Sequence, residues 1–332
     1  MSGRGRSKGS PPSCQRTRDV NMIPGMLISL CNWRFTVMCR FPSSLLSGIV
    51  LSVLLAPCAS LSAAPATVAF DQSAQDVICY SFVEVTLRVD KPDVSNPFTD
   101  VSVEGQFALS GVQAVNVDGF CDGADGSLFR IRFMPAKAGD YDYSVTYRQG
   151  TYEAAHTGRF TARNAGRRGL IRVDKEHPWH FLWEGTGEHY FWNGTTTYWL
   201  LGWDDETIRG TIDRLARLKV NRLRVAINGR VKDGRAWYEN VFPTEKFLFR
   251  MNPWVAQRSD SVENPGFDVT RFNLPHWQKI ERTLQYAREK DTAISIIFYV
   301  DGARPGVDPF CKARMGQEDE QRYYRYAVAR LA

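Results

Sequence analysis

Two hydrophobic rhythms divide the chain. Between about residues 77 and 163, apolar and polar positions alternate with period two, in SFVEVTLRV (81–89), VSVEGQFAL (101–109), LFRIRFM (128–134) and YDYSVTY (141–147). Such alternation marks strands with one buried face. Turn-forming clusters stand between them: Lys91-Pro92-Asp93, Asn96-Pro97, Cys121-Asp122-Gly123, Asp125-Gly126 and Ala138-Gly139-Asp140. Short strands at this spacing, with no helical period, predict an antiparallel β-sandwich over 77–163.

After the Gly/Arg linker at 164–169 the rhythm changes. HYFWNGTTTYWLL (189–201) reads as a strand, and a helix follows Asp204 and Asp205 with Ile208, Ile212, Leu215 and Leu218 on one face. NRLRVAI (221–227) is a second strand. A stretch bearing Trp237, Phe247, Phe249 and Trp254 reads as a long loop, and Pro275 opens a helix carrying Trp277, Ile280, Leu284 and Ala287 in register. AISIIFYV (293–300) is nearly all apolar, as a strand buried on both faces is. A last helix places Tyr324, Ala327, Val328 and Leu331 on one stripe, with no Gly, Asn or Pro stop behind it. Strand and helix alternating three times predict parallel βαβ units. No G-x-G-x-x-G follows the first strand, and long polar-aromatic loops lie at strand ends, so residues 170–332 are expected to begin a (β/α)₈ TIM-type barrel. A barrel takes roughly 250 residues, so the fold class expected is a β-sandwich followed by three βα units of an interrupted barrel.

Charge changes this picture little. The net +6 resides in residues 1–66, where seven basic residues face Asp19 alone, and the rest is neutral. The basic balance therefore predicts no nucleic-acid partner. The apolar run at about 45–56 (LLSGIVLSVLLA), followed by Ala64-Pro65-Ala66, reads as a signal peptide cleaved near Thr67, with a membrane anchor as its rival. Export to the periplasm, cell surface or medium, without stable membrane insertion after cleavage, is the expectation. Translation from Met1 or from Met38 fits the leader. Cys79, Cys121 and Cys311 follow the leader; Cys79 and Cys121 form a disulfide or remain two structural thiols.

These segments look familiar in their order. Asn96–Phe98 (NPF), DGFCDG (118–123) and RFMPAKAGDYDYSV (132–145) resemble the immunoglobulin-like, DUF5060-like domain that precedes some bacterial secreted glycoside hydrolases. HYFWNGTTTYWLL, LARLKVNRLRVAI, FNLPHWQKIERTLQYAREK and AISIIFYVDG resemble the start of their apiosidase-like, clan A catalytic barrel. That resemblance implies hydrolysis of a poly- or oligosaccharide by paired carboxylates, without a cofactor or metal. It also implies that the acid/base residue ends the fourth barrel strand, beyond Ala332, so that this chain alone is inactive. Some relatives have an acidic residue where Thr195 stands, which leaves the subfamily and its sugar open. A non-catalytic carbohydrate-binding or cell-surface protein is the rival reading.

Glycoside hydrolysis needs two carboxylates about 5–9.5 Å apart astride the scissile bond. Asp301, directly after the third strand, is the best placed candidate, as catalyst, sugar contact or plain Asp-Gly turn. By resemblance, Arg224 matches an arginine that holds the nucleophile ionised, and a buried ion pair is its structural alternative. Asn228 offers an amide to sugar hydroxyls or makes a turn. Trp199, Trp203, Trp237, Tyr238 and Tyr299 are aromatic platform candidates, with Trp203 and Tyr299 preferred. His177, His180 and His189 lack metal-ligand spacing and read as loop and strand residues; Glu184 and Glu188 read as turn carboxylates.

Overall fold

The structure, a computed structural model, describes residues 67–227, 252–258, 266–298 and 316–331. The leader lies outside them. The first strands are β1 (Thr67–Gln72), β2 (Asp76–Ile78), β3 (Val83–Asp90), β4 (Val101–Leu109), β5 (Val115–Asp118), β6 (Phe120–Cys121), β7 (Leu128–Phe133), β8 (Gly139–Gln149) and β9 (Tyr152–Arg163). They form two sheets, ordered β1-β3-β7-β6 and β2-β9-β8-β4-β5. Val83, Val85, Leu87, Phe129 and Ile131 from one sheet share a core with Phe107, Tyr143, Val145, Tyr147 and Phe160 from the other. Rings cross between the sheets, Phe107 stacking on Phe133 at 4.6 Å. This is a β-sandwich, with one departure from the expected pairing: β2 lies parallel to β9.

Of the two alternatives for Cys79 and Cys121, the structure takes the free thiols, and both are buried. Cys79 follows β2 and its N–H donates to the carbonyl of Arg163, at the end of β9, whereas Cys121 lies on β6 in the other sheet. The Cys121 Sγ turns back on its own loop and donates to the Gly123 carbonyl at 3.0 Å. Burial pushes this thiol up to about 12, so it stays protonated.

A three-stranded antiparallel sheet follows, of β10 (Ile171–Val173), β11 (Phe181–Trp183) and β12 (His189–Tyr190). Its turns press on the sandwich through glycines. A Cβ on Gly185 would stand 2.2 Å from the Arg167 carbonyl oxygen and 2.7 Å from the Tyr80 ring. Gly185→Ala is therefore expected to cost about 1–3 kcal/mol, because backbone has to move. Gly210→Ala, with open space around it in a helix, is expected to gain up to about 1 kcal/mol. Urea unfolding midpoints of the two variants should shift in opposite directions.

The remaining elements are β13 (Gly194–Thr196), a 3₁₀ turn at Leu200–Gly202, α1 (Asp205–Arg217), β14 (Arg222–Ala226), β15 (Trp254–Ala256), β16 (Phe267–Phe272), α2 (Leu274–Glu289), β17 (Ala293–Ile297) and α3 (Gln317–Leu331). The predicted first strand is thus broken into β12, β13 and a turn. Asp204 caps α1 by accepting from the Thr207 N–H at 2.7 Å. Strands β13, β14 and β17 pair in parallel, in that order. Leu223, Val225 and Ile227 pack with Ile208, Ile212, Trp277 and Ile280 from the helices. Among the described residues no barrel closes. Strand β17 is accordingly half-buried along its length rather than buried on both faces. Leu218, expected on the buried face of α1, is 63% exposed at its C-cap.

Helix α3 buries a face one position away from the expected stripe. Tyr323, Tyr326, Ala327 and Arg330 are buried, whereas Tyr324 and Val328 are exposed. Tyr326 stacks on Phe272 at 4.0 Å and meets Phe98 and Phe120 edge-on. Phe98 and Phe120 come from the sandwich, so α3 closes an aromatic core shared by both parts of the chain. Asn96, of the NPF turn, adds hydrogen bonds to Thr270 Oγ1 (3.0 Å) and the Thr270 carbonyl (3.2 Å).

Candidate functional site

Among the described residues, the parallel sheet packs helices on one face and none on the other. Strand alternation sends Leu223 and Val225 to the helices and Arg222 and Arg224 to the opposite face. Arg224 is exposed, and its Nη2 donates to the Tyr198 hydroxyl at 3.1 Å, with the guanidinium 5.5 Å from the Tyr198 ring centre. Arg222 Nε donates to Ser295 Oγ at 2.8 Å, and its guanidinium lies 3.9 Å from the centre of the Trp192 ring. Ser295 reaches this face because Arg224 pairs with Ser295 across the ladder. Burial, helped by the neighbouring Arg224 charge, pulls the Arg222 pKa down, though a guanidinium stays charged at neutral pH. Among the described residues, neither guanidinium pairs with a carboxylate.

The ladder continues past the strand ends. The Thr197 N–H donates to the Arg224 carbonyl (2.9 Å), and the Ala226 N–H to the Tyr198 carbonyl (3.0 Å), which fixes Tyr198 at the rim. Tyr198 is 43% exposed and tilts against Trp199 at 6.1 Å. Behind the rim, His276 sits in the first turn of α2, fully buried, and its Nε2–H donates to the Ile227 carbonyl at 2.5 Å. That bond pins the end of β14. Burial, with a lesser push from the nearby Lys279 charge and against the pull of the Ile227 carbonyl, brings the His276 pKa down to about 4. The ring is therefore neutral at physiological pH. Segment 252–254 crosses the same helix end: Asn273 Nδ2 donates to the Asn252 carbonyl and Trp277 Nε1 to the Pro253 carbonyl, both at 3.0 Å.

Of the residues singled out from the sequence, Arg224 does stand on the open face near the end of β14. Trp203 does not line it as a platform: the ring is half-buried against the helix-side core, and its carbonyl accepts from Lys279 Nζ. Tyr198 takes the exposed place instead; it was hidden in a run read as continuous strand. Asn228, Trp237, Tyr238, Tyr299 and Asp301 lie outside the described residues, as does Cys311. Thr195 pairs with Leu223 in the ladder. Glu184 and Glu188 flank the β11–β12 turn, as expected. His180 lies 5.9 Å, ring to ring, from both His177 and His189, and His177 Nδ1 approaches Asp174 Oδ2 at 3.4 Å. Among the described residues, no three side chains converge as a metal site. No described helix is long and apolar enough to cross a membrane.

Residues 76–148 match the DUF5060 family, described as a domain of unknown function. Over 78% of its length the chain superimposes on a provisionally assigned glycoside hydrolase from Bacteroides vulgatus ATCC 8482, with TM-score 0.63 and 26% identity. It spans 47% of that protein. An engineered protein (22% identity, 30% of this chain and 21% of that one, TM-score 0.23) is far less similar. So is the PKD domain of the human VPS10 domain-containing receptor SorCS2 (14%, 39% and 98%, TM-score 0.22), and neither carries an argument. Among curated proteins, none matches the chain.

Proposed function

We propose that the chain is the amino-terminal part of an exported glycoside hydrolase: a DUF5060 sandwich followed by the first three βα units of an apiosidase-like (β/α)₈ barrel. The observation that carries this reading is the superposition on the Bacteroides protein over most of this chain but under half of that one. The order β13, α1, β14, α2, β17, α3 and the parallel pairing support it. So does the open face, where a barrel would place its interior and, at the strand C-termini, its active site. The apolar run at 45–56 and Ala64-Pro65-Ala66 supply the export signal.

In this reading the acid and the nucleophile come from strands after α3. Arg224, oriented by Tyr198, would hold the nucleophile carboxylate ionised, so that its partner alone carries the proton donated to the leaving group. Asn228, Tyr299 and Asp301, which follow β14 and β17 in sequence, would contact sugar hydroxyls and ring faces. No cofactor or metal is invoked. The open face as described carries two guanidiniums, a phenol and a serine hydroxyl, a set that cannot supply paired-carboxylate hydrolysis. Purified 67–332 is therefore expected to release no reducing ends from a panel of polysaccharides and aryl glycosides, while the complete exported product does release them. Turnover by 67–332 above background, abolished by Asp301→Asn, would overturn the placement of the catalytic pair. Stoichiometric sugar binding by a complete product that never hydrolyses would favour the non-catalytic, carbohydrate-binding reading.

A further inference from the structure

The sandwich meets α3 through more than apolar packing. Arg330, in the last turn of α3, has a side chain with no solvent exposure. Its Nη2 donates to Asp122 Oδ1 and Glu281 Oε2, both at 2.7 Å, and its Nη1 to the Tyr326 hydroxyl at 2.8 Å. Asp122 belongs to the turn after β6 and Glu281 to α2, so one guanidinium ties three elements together. The Tyr326 hydroxyl in turn donates a hydrogen bond to the Cys121 carbonyl at 2.8 Å.

A second arginine completes the cluster from the sandwich side. Arg132, on β7, donates from Nε to Glu84 Oε2 at 2.7 Å and from Nη1 to both Glu281 Oε1 and the backbone carbonyl of Arg330. Arg130, two residues away, bonds Asp122 Oδ2 at 2.8 Å and Glu84 Oε1. Three arginines thus face three carboxylates (Glu84, Asp122 and Glu281) with no charge left over. The Phe120 ring lies 4.9 Å from the guanidiniums of both Arg132 and Arg330. Burial raises the Asp122 carboxyl, but the Arg330 charge and hydrogen bonds from Arg130, Arg330 and Gln278 outweigh it and hold the group below the usual carboxylate range. Arg330 and Asp122, with 0% and 9% side-chain exposure, stand in such a site only when paired.

The bond from Arg132 to the Arg330 carbonyl is the informative one. It runs from β7 of the sandwich to the backbone of α3. We infer that the DUF5060 sandwich is a clamp for α3, with Arg132 as the positioning residue that fixes the helix backbone at Arg330. On the function proposed above, α3 leads to the next barrel strand, so the sandwich would help set where the strand bearing the catalytic acid begins. This makes the sandwich part of the catalytic body rather than a spacer or a separate sugar-binding module.

The test is hydrogen exchange followed by mass spectrometry on the full 332-residue chain, wild type against Arg132→Gln and Arg132→Lys. In Arg132→Gln, amides of residues 323–331 are expected to exchange roughly tenfold faster, while those of α1 keep their wild-type rate. Arg132→Lys keeps the charge but not the fork, and is expected to fall between the two. Should the glutamine variant not accumulate folded, the lysine variant carries the comparison alone. Unchanged protection of α3 in the variant, or equal acceleration of α1 and α3, overturns the clamp. The readout needs no hydrolytic activity, so a failure of the glycosidase reading would leave it standing.

Discussion

Lowering the pH from 7 to 4.5 is expected to cost the chain about 2–3 kcal/mol through His276 alone. The ring is fully buried, and its pKa is depressed to about 4, against about 6.5 in the unfolded chain. Between those values the unfolded state binds the proton and the folded state does not. Stability is thus fully present above about pH 6.5 and is lost progressively as the pH falls toward 4. Protonation also gives Nδ1 a hydrogen where it has no described partner, which adds an unsatisfied donor in a dry site. Asp122 contributes in a separate, lower window: its depressed carboxyl stabilises the fold above the unfolded carboxylate pKa, and that contribution vanishes as the pH falls below about 4. Urea unfolding at pH 7 and 4.5 separates the two. His276→Gln, whose amide can still donate to the Ile227 carbonyl, should lose far less stability between those pH values than the wild type. Parallel losses in both proteins would show that the proton goes elsewhere.

Trp277→Ala is expected to be the most damaging single truncation, at about 3–5 kcal/mol. Trp277 has no solvent exposure and touches Phe272, Tyr323 and Tyr326, the last at 5.1 Å. The rings it supports come from β16 and α3, so the cavity would open where α2 meets both. The Pro253 carbonyl would also lose its indole donor. Trp277→Phe, which keeps ring contact but not the donor, should cost visibly less. Denaturant midpoints rank the two variants, and a Phe variant as unstable as Ala would mean that the hydrogen bond outweighs the packing.

Local pattern carried some elements and not others. β3, β4, β7 and β8 were legible because large apolar side chains alternate there with polar ones, and one face of each is buried. β9, the longest strand, was not, because its inward positions include Ala154, His156 and Gly158. Gly158 is small for a reason the sequence does not display: a Cβ there would stand 2.3 Å from the Tyr143 ring and hydroxyl. In α3 the periodicity was right and the phase was off by one residue. Arg330 and Tyr323 lie outside the stripe the sequence marks as apolar, and only the carboxylates of the β6 turn and of α2 make a buried arginine favourable. The same limit applies to the site. The place of Arg224 on a parallel strand follows from alternation, but Trp203 and Tyr198 differ only in which neighbours cover them, a tertiary property. β17 was read as doubly buried because five apolar or small residues in a row say nothing about whether the second face is covered.

The most direct test of the central claim is the intact mass of the native protein, with a map of its C-terminal peptides. The expected result is a mass well above the 37.7 kDa of this chain, with peptides that start near Thr67 and continue past Ala332 into further βα units. A mature product below 37.7 kDa that ends at Ala332 would contradict the account. The parallel sheet would then be complete at three strands, and hydrolysis by paired carboxylates would have no residues to perform it.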